Sequence, residues 1–266
     1  MSDAETGAGG AGSRAPKQTG AGALPDRDDR IDALDSATRR AIADTWQRRA
    51  GEELKVATAF SALCRELLET GADGDVVLAA SRAVHDEVRH GEICRALASR
   101  YRGEDVPWPP AVSLKMQRAR GHGSAQTLLH VAEMCCANEA VSATYLDASF
   151  AGATGACARA ALRELLRDEV EHARFGWIYV GRAVALASAR AALQEHVLPI
   201  VRNVVSCWFD DSAITLRGGM PDDGLPSVAV MRACAVTAMR DLVLPGFERV
   251  GVDVSATRDW LKAIAA

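Results

Sequence analysis

Asp86-Glu87-Val88-Arg89-His90 and Asp168-Glu169-Val170-Glu171-His172 are near copies of one another. Each holds a Glu-x-x-His pair: Glu87 with His90, and Glu169 with His172. On an α-helix, residues three apart share a face about one turn from each other. Each pair can therefore aim a carboxylate oxygen and an imidazole nitrogen at one point. Two such helices packed face to face would enclose a site for two metal ions. The chain has only six histidines, so two matched copies carry weight.

Working outward, the surrounding sequence is helical. Residues 1–34 are rich in Gly, Ala, Ser, Pro and Asp without periodicity, and read as a disordered tail. Ser36 is the expected cap of a first long helix, which reaches about Thr70 before Gly71 and Gly74 break it. A second helix fits 75–101. Pro107, Pro109 and Pro110 then forbid helix, and a long connection runs to about 123. A third helix starts near Ser124 and a fourth covers about 155–187. Further helices fit 189–209, 227–242 and a short stretch from Ser255. The reading is all-α: a four-helix bundle over 35–187 with a long crossover between its second and third helices, then a C-terminal helical extension over 188–266 packed on it.

The two hairpins also repeat. Glu53-Leu54-Lys55-Val56-Ala57-Thr58-Ala59-Phe60 parallels Glu139-Ala140-Val141-Ser142-Ala143-Thr144-Tyr145-Leu146. Each Glu precedes its Asp-Glu-x-x-His by about thirty residues, an internal duplication. Glu53 falls in the apolar stripe of Trp46, Ala57 and Phe60, whereas Glu52 falls beside it. Glu139 falls in the stripe of Cys136, Ala143 and Leu146, and Glu133 lies well round the helix. Glu52 and Glu133 are therefore second choices. The expected ligands are Glu53, Glu87, His90, Glu139, Glu169 and His172. Asp86 and Asp168 are assigned to accept the outer imidazole N–H groups.

Oxygen ligands with two imidazoles suit iron or manganese. Four carboxylates would balance two divalent cations. Without them, so much acid on core faces would be very costly to bury ionised. Ala57, Ala143, Gly91 and Ala173 are small residues beside the ligands; they either leave room for oxygen and substrate or let helices pack closely. Arg89 and Glu171, equivalent in the repeat, either pair or face solvent.

At 266 residues and 28.2 kDa the chain can bury a sizeable core. A net charge of −4 and a pI near 5.9 give no electrostatic case for nucleic acid. No apolar stretch approaches the ~18 residues of a membrane span, and the first thirty residues hold no basic start with an apolar run. Seven cysteines without a C-x-x-C suggest reduced thiols and a cytoplasmic location.

These residues resemble the ferritin-like di-iron carboxylate superfamily: rubrerythrins, ribonucleotide reductase small subunits, bacterial multicomponent monooxygenases and stearoyl-carrier-protein desaturases. The shared pattern Glu, Glu-x-x-His, Glu, Glu-x-x-His maps onto Glu53, Glu87/His90, Glu139 and Glu169/His172. Asp86 to His90 also resembles the Asp-Glu-x-Arg-His element of the monooxygenases, but Glu171 stands where the second Arg would. Leu165 stands where the superfamily's N-oxygenases add a histidine. The resemblance covers about 36–187. It implies a ferritin-like bundle with two iron (or manganese) ions and an oxygen-activating oxidoreductase acting on a small or carrier-bound organic substrate. With no Gly-x-Gly-x-x-Gly fingerprint, electrons would come from an external donor. The alternatives are a ferroxidase or peroxide-scavenging rubrerythrin-like protein, and a metal-binding bundle without redox chemistry. No nucleic-acid or membrane partner is expected, and a homodimer is compatible with the pattern.

Overall fold

Asp35 starts the first long helix. Its carboxylate accepts the backbone N–H groups of Ala37 and Thr38, two of the orphan donors every helix start leaves. A computed structural model describes residues 20–110 and 123–265. The cap is thus Asp35, and Ser36 is the first helical residue, one position from the expectation. The order is α1 (Asp29–Ala33), α2 (Ser36–Glu69), α3 (Gly74–Arg102), α4 (Ser124–Val131), α5 (Glu139–Gly152), α6 (Ala156–Ala183), α7 (Ala187–Phe209), α8 (Val228–Ala238), α9 (Leu244–Arg249) and α10 (Ser255–Ala265). Ser227 caps α8 by accepting the Val230 N–H. No strand is present among the described residues.

Two π-helical stretches went unread in the sequence. Ala132–Asn138 joins α4 to α5 in one continuous rod, and Met239–Val243 joins α8 to α9. A π turn inserts a residue into the helical repeat and rotates everything beyond it. The expected end of a helix near 242 is therefore corrected: the helical path runs on to Arg249.

The chain makes two long helical hairpins. α2 packs on α3, α5 packs on α6, and the hairpins meet along α3 and α6 and along α2 and α4. The connection after α3 starts at Gly103, whose φ of 79° is a left-handed helix stop that glycine allows. Much of that connection, 111–122, lies outside the described residues, as does His122.

The C-terminal helices cover one hairpin: α7 lies on α4 and the first π stretch, and α8 on α5. Among the described residues no helix is long and apolar enough to cross a membrane. The expected tail needs correction. Residues 1–19 lie outside the described residues, but Gly20–Ala23 forms a 3₁₀ turn against α3, and α1 follows. Leu24 and Ile31 are buried there. Two well-spaced apolar residues suffice to anchor a segment whose average composition looks unstructured.

The apolar core is split. One cluster holds Phe60, Leu63, Leu67, Ala80, Cys136 and Phe175. The other holds Trp46, Ala50, Ile93, Leu97, Leu146 and Leu162. Along α2, α3 and α6 alike, the buried stripe passes from one cluster to the other. The residues at the crossing are charged.

Candidate metal centre

The crossing is where the acids sit. In α3 the buried stripe reads Val76, Ala80, Ala83, Glu87, His90, Cys94, Leu97, Tyr101. The spacing of three and four never breaks, so Glu87 and His90 are delivered to the core by the same periodicity that delivers the aliphatics. In α6 the run is Leu162, Leu165, Glu169, His172, Phe175. In α2, Glu53 lies between Ala50 and Ala57. Glu139 opens α5 where the π stretch ends. All six side chains are buried; Glu87 and His90 are fully so.

They form two overlapping groups. Glu53, Glu87, His90 and Glu169 bring ligand atoms within 4.8 Å of one another, and so do Glu87, Glu139, Glu169 and His172. Glu87 and Glu169 belong to both. A carboxylate has two oxygens, and here they are divided between the groups. Glu87 Oε2 lies 3.5 Å from His90 Nδ1, and its Oε1 lies 3.1 Å from His172 Nδ1. Glu169 Oε1 faces His90 Nδ1 at 3.8 Å, and its Oε2 faces His172 Nδ1 at 3.6 Å. Glu53 flanks only His90, and Glu139 only His172, each at 3.8 Å.

The outer imidazole nitrogens point at the two aspartates, crossed between repeats. His90 Nε2 lies 3.3 Å from Asp168, and His172 Nε2 lies 3.7 Å from Asp86. Each Asp thus faces the histidine of the other hairpin, not the one four residues on in its own motif. An outer acceptor fixes which ring nitrogen is free to bind inward.

Two arginines complete the surroundings. Arg49 donates from Nε to Glu53 Oε1 at 3.1 Å. The sequence reading missed it, although Arg at i−4 from a core Glu was the available signal. Arg89 donates to Asp168 and, at 3.0 Å, to Glu164. With its side chain only 1% exposed, it does not lie in solvent, one of its two expected fates. Phe60 sets its ring against His172 with centroids 5.2 Å apart. The alternative ligands stay outside. Glu52 is exposed and paired with Lys55 at 2.7 Å, while Glu133 accepts from Asn203.

Burial and mutual charge set the protonation pattern of the cluster. Burial pushes Glu53 up to about 7 against the pull of Arg49. Burial, with the charges of Glu139 and Glu87, pushes Glu169 well above the usual carboxylate range. Burial alone would lower His90, but Glu87 and Asp168 outweigh it and hold it at about 10. His172 is raised likewise by its carboxylate neighbours, against burial. Burial would also raise Glu87, yet His90 and His172 hold it at about 2. Protons are drawn in because the site wants positive charge. Still, Glu87 Oε1 and Oε2, Glu139 Oε1, Glu169 Oε2, both Nδ1 atoms and the outer Nε2 of His172 are buried without a hydrogen-bond partner. Buried polar atoms left unpartnered and gathered in two overlapping groups are an arrangement that could hold metal ions. Two metal–ligand bonds of ~2.1 Å span ~4.2 Å, so modest side-chain movement would close each shell.

Of the small residues beside the ligands, Gly91 is explained by packing: a Cβ there would lie 3.2 Å from Leu54 and 3.3 Å from the Ala50 carbonyl. Ala57 is buried. Ala143 and Ala173 instead line an open groove. Comparison with protein-family models, characterised proteins and solved structures found no match for this chain.

Proposed function

We propose that the chain is a ferritin-like dinuclear carboxylate protein, with two iron ions (or manganese) held by Glu53, Glu87, His90, Glu139, Glu169 and His172. The observation that carries this reading is the pair of four-residue groups sharing Glu87 and Glu169. Sharing two carboxylates is the economical way to hold two like-charged ions close together. The all-oxygen-and-imidazole donor set favours iron or manganese over softer choices. The two hairpins joined by a long connection support the ferritin-like bundle.

We read the centre as that of an oxidoreductase acting on an organic substrate with dioxygen and electrons from an external donor. Two bound redox metals would supply the oxygen chemistry. The protein's own share is set out by its residues. Asp168 engages His90 Nε2 and Asp86 faces His172 Nε2, so that both Nδ1 atoms face inward. Arg89 and Arg49 balance carboxylate charge. The apolar clusters on both sides exclude water. The groove beside Ala143 favours an organic substrate over a role confined to iron handling.

Protein from cells grown with iron should carry about two metals per chain. His90→Ala/His172→Ala should lose nearly all of it while keeping its helical circular dichroism. Oxygen uptake with a chemical reductant should follow metal content. Wild-type protein with no stoichiometric transition metal would refute the centre. A loaded centre that consumes no oxygen would leave a metal-binding bundle without redox chemistry.

A further inference from the structure

The groove beside the centre has a chemical character of its own. Its volume is about 450 Å³, within the ~300–1,000 Å³ of small-ligand clefts. α5, α6, the second π stretch and α9 form it. Ala140 and Ala143 come from the turn after Glu139, and Ala143, four residues on, shares nearly the same helix face. Val170 and Ala173 directly follow Glu169 and His172. The groove therefore abuts the turns that carry three of the six ligands.

Its walls are apolar and unusually bare. Val170 is 53% exposed and Leu242 51%. Trp177 adds an indole face, packed so close to Gly246 that a Cβ there would lie 2.4 Å from the ring. Two cations also line it, Arg174 and Arg249, both exposed. The one acid lining the groove, Asp241, already accepts from Nε and Nη2 of Arg240, each at 2.7 Å. The Arg249 side chain makes no hydrogen bond or ion pair among the described residues. Arg174 has only Glu171, at 3.8 Å. An apolar trough lined by two exposed, under-used guanidinium groups matches one kind of guest. Arginine forks recognise carboxylates, and apolar walls favour a hydrocarbon body.

We infer that this groove binds a monocarboxylate with an apolar body, its carboxylate between Arg174 and Arg249 and its hydrocarbon end against Ala143 and Ala173, beside the metal centre. This rests on the dinuclear reading for its purpose, but the groove's binding is separable from it. None of its lining residues is a ligand.

Isothermal titration of octanoate and of 1-octanol into protein from iron-grown cells tests the assignment, with metal content measured on the same samples. Octanoate should bind one per chain, at least tenfold tighter than 1-octanol. Arg174→Ala/Arg249→Ala should weaken octanoate at least tenfold, leave 1-octanol unchanged and keep about two metals per chain. Ala143→Leu should weaken both guests. Equal affinity for acid and alcohol, or octanoate binding indifferent to the arginine pair, would overturn the inference even with iron in place. Octanoate binding with no stoichiometric metal would uphold the groove and refute the dinuclear centre instead.

Discussion

Arg89 shows how much one side chain can decide. Its guanidinium is buried against Asp168, which in turn faces His90 Nε2. Removing the cation leaves a buried carboxylate without its main partner, an imbalance that typically costs ~3–5 kcal/mol. Arg89→Met should therefore lower unfolding free energy by about 3 kcal/mol in urea. Metal affinity should fall ~10–100-fold, the usual cost of disturbing an outer partner of a ligand. A variant with unchanged stability would show that Asp168 draws its compensation from Arg167, 3.6 Å away. Protons and metals compete at the same atoms. Glu53 and His90 are raised above their unfolded values, to about 7 and about 10. A group raised on folding stabilises below its unfolded pKa, and loses that contribution as pH climbs through the folded one. Glu87, lowered to about 2, contributes a constant amount above pH 5. The urea midpoint of chelator-treated protein should thus fall from pH 6 to pH 8. Metal affinity should rise over the same range, because Nδ1 must shed its proton to bind. Parallel trends would contradict the assignment of His90 as a ligand.

Among the elements, the π stretch Ala132–Asn138 does the most to shape the site. It turns Glu139 to face His172 while Cys135 and Cys136 stay buried above it. Helix α6 must approach this stretch closely. A Cβ on Gly176 would sit 2.5 Å from Cys135 Cβ and 3.1 Å from its carbonyl carbon. Backbone cannot retreat as a flexible side chain can, so overpacking here should cost ~1–3 kcal/mol. Gly176→Ala should lose about that much stability and should loosen the His172 side of the centre first. The check is a metal titration in which one of two sites weakens more than the other. Gly91→Ala presses on the Leu54 side chain and the Ala50 carbonyl at longer range, and its effect should be smaller.

Across the whole molecule, the segment around α1 is tied to the turn before α8 by Asp223. This fully buried carboxylate accepts Arg30 Nε at 3.0 Å, Arg30 Nη2 at 2.7 Å and the Tyr101 hydroxyl at 2.9 Å. Its backbone carbonyl accepts the Trp46 indole N–H at 3.3 Å. Four segments meet there: α1, α2, α3 and the turn before α8. Burial, with the Asp223 charge second, pushes the Tyr101 hydroxyl well above its usual value. Because Arg30 is 30% exposed, part of its ion pair is screened by solvent. Asp223→Ala should cost about 2–3 kcal/mol, mostly from stranding Tyr101 and Arg30. Differential scanning calorimetry should show one transition at lower temperature. A second, separate transition would mean that the C-terminal helices unfold on their own.

What the sequence determined was local and periodic. Spacing of three and four placed Glu53, Glu87, His90, Glu139, Glu169 and His172 on core faces, because helical register is a property of neighbouring residues. The duplicated frame singled out those six from a chain full of acids. Tertiary structure decided what crosses between helices. Which aspartate faces which histidine, that Glu87 and Glu169 divide their oxygens between two groups, and that Arg30 reaches Asp223 are matters of docking angle and distance. So is the π register ahead of Glu139, a stretch packed against α6 and α7. Periodicity fixes where a side chain points on its own rod; only packing fixes what it meets there.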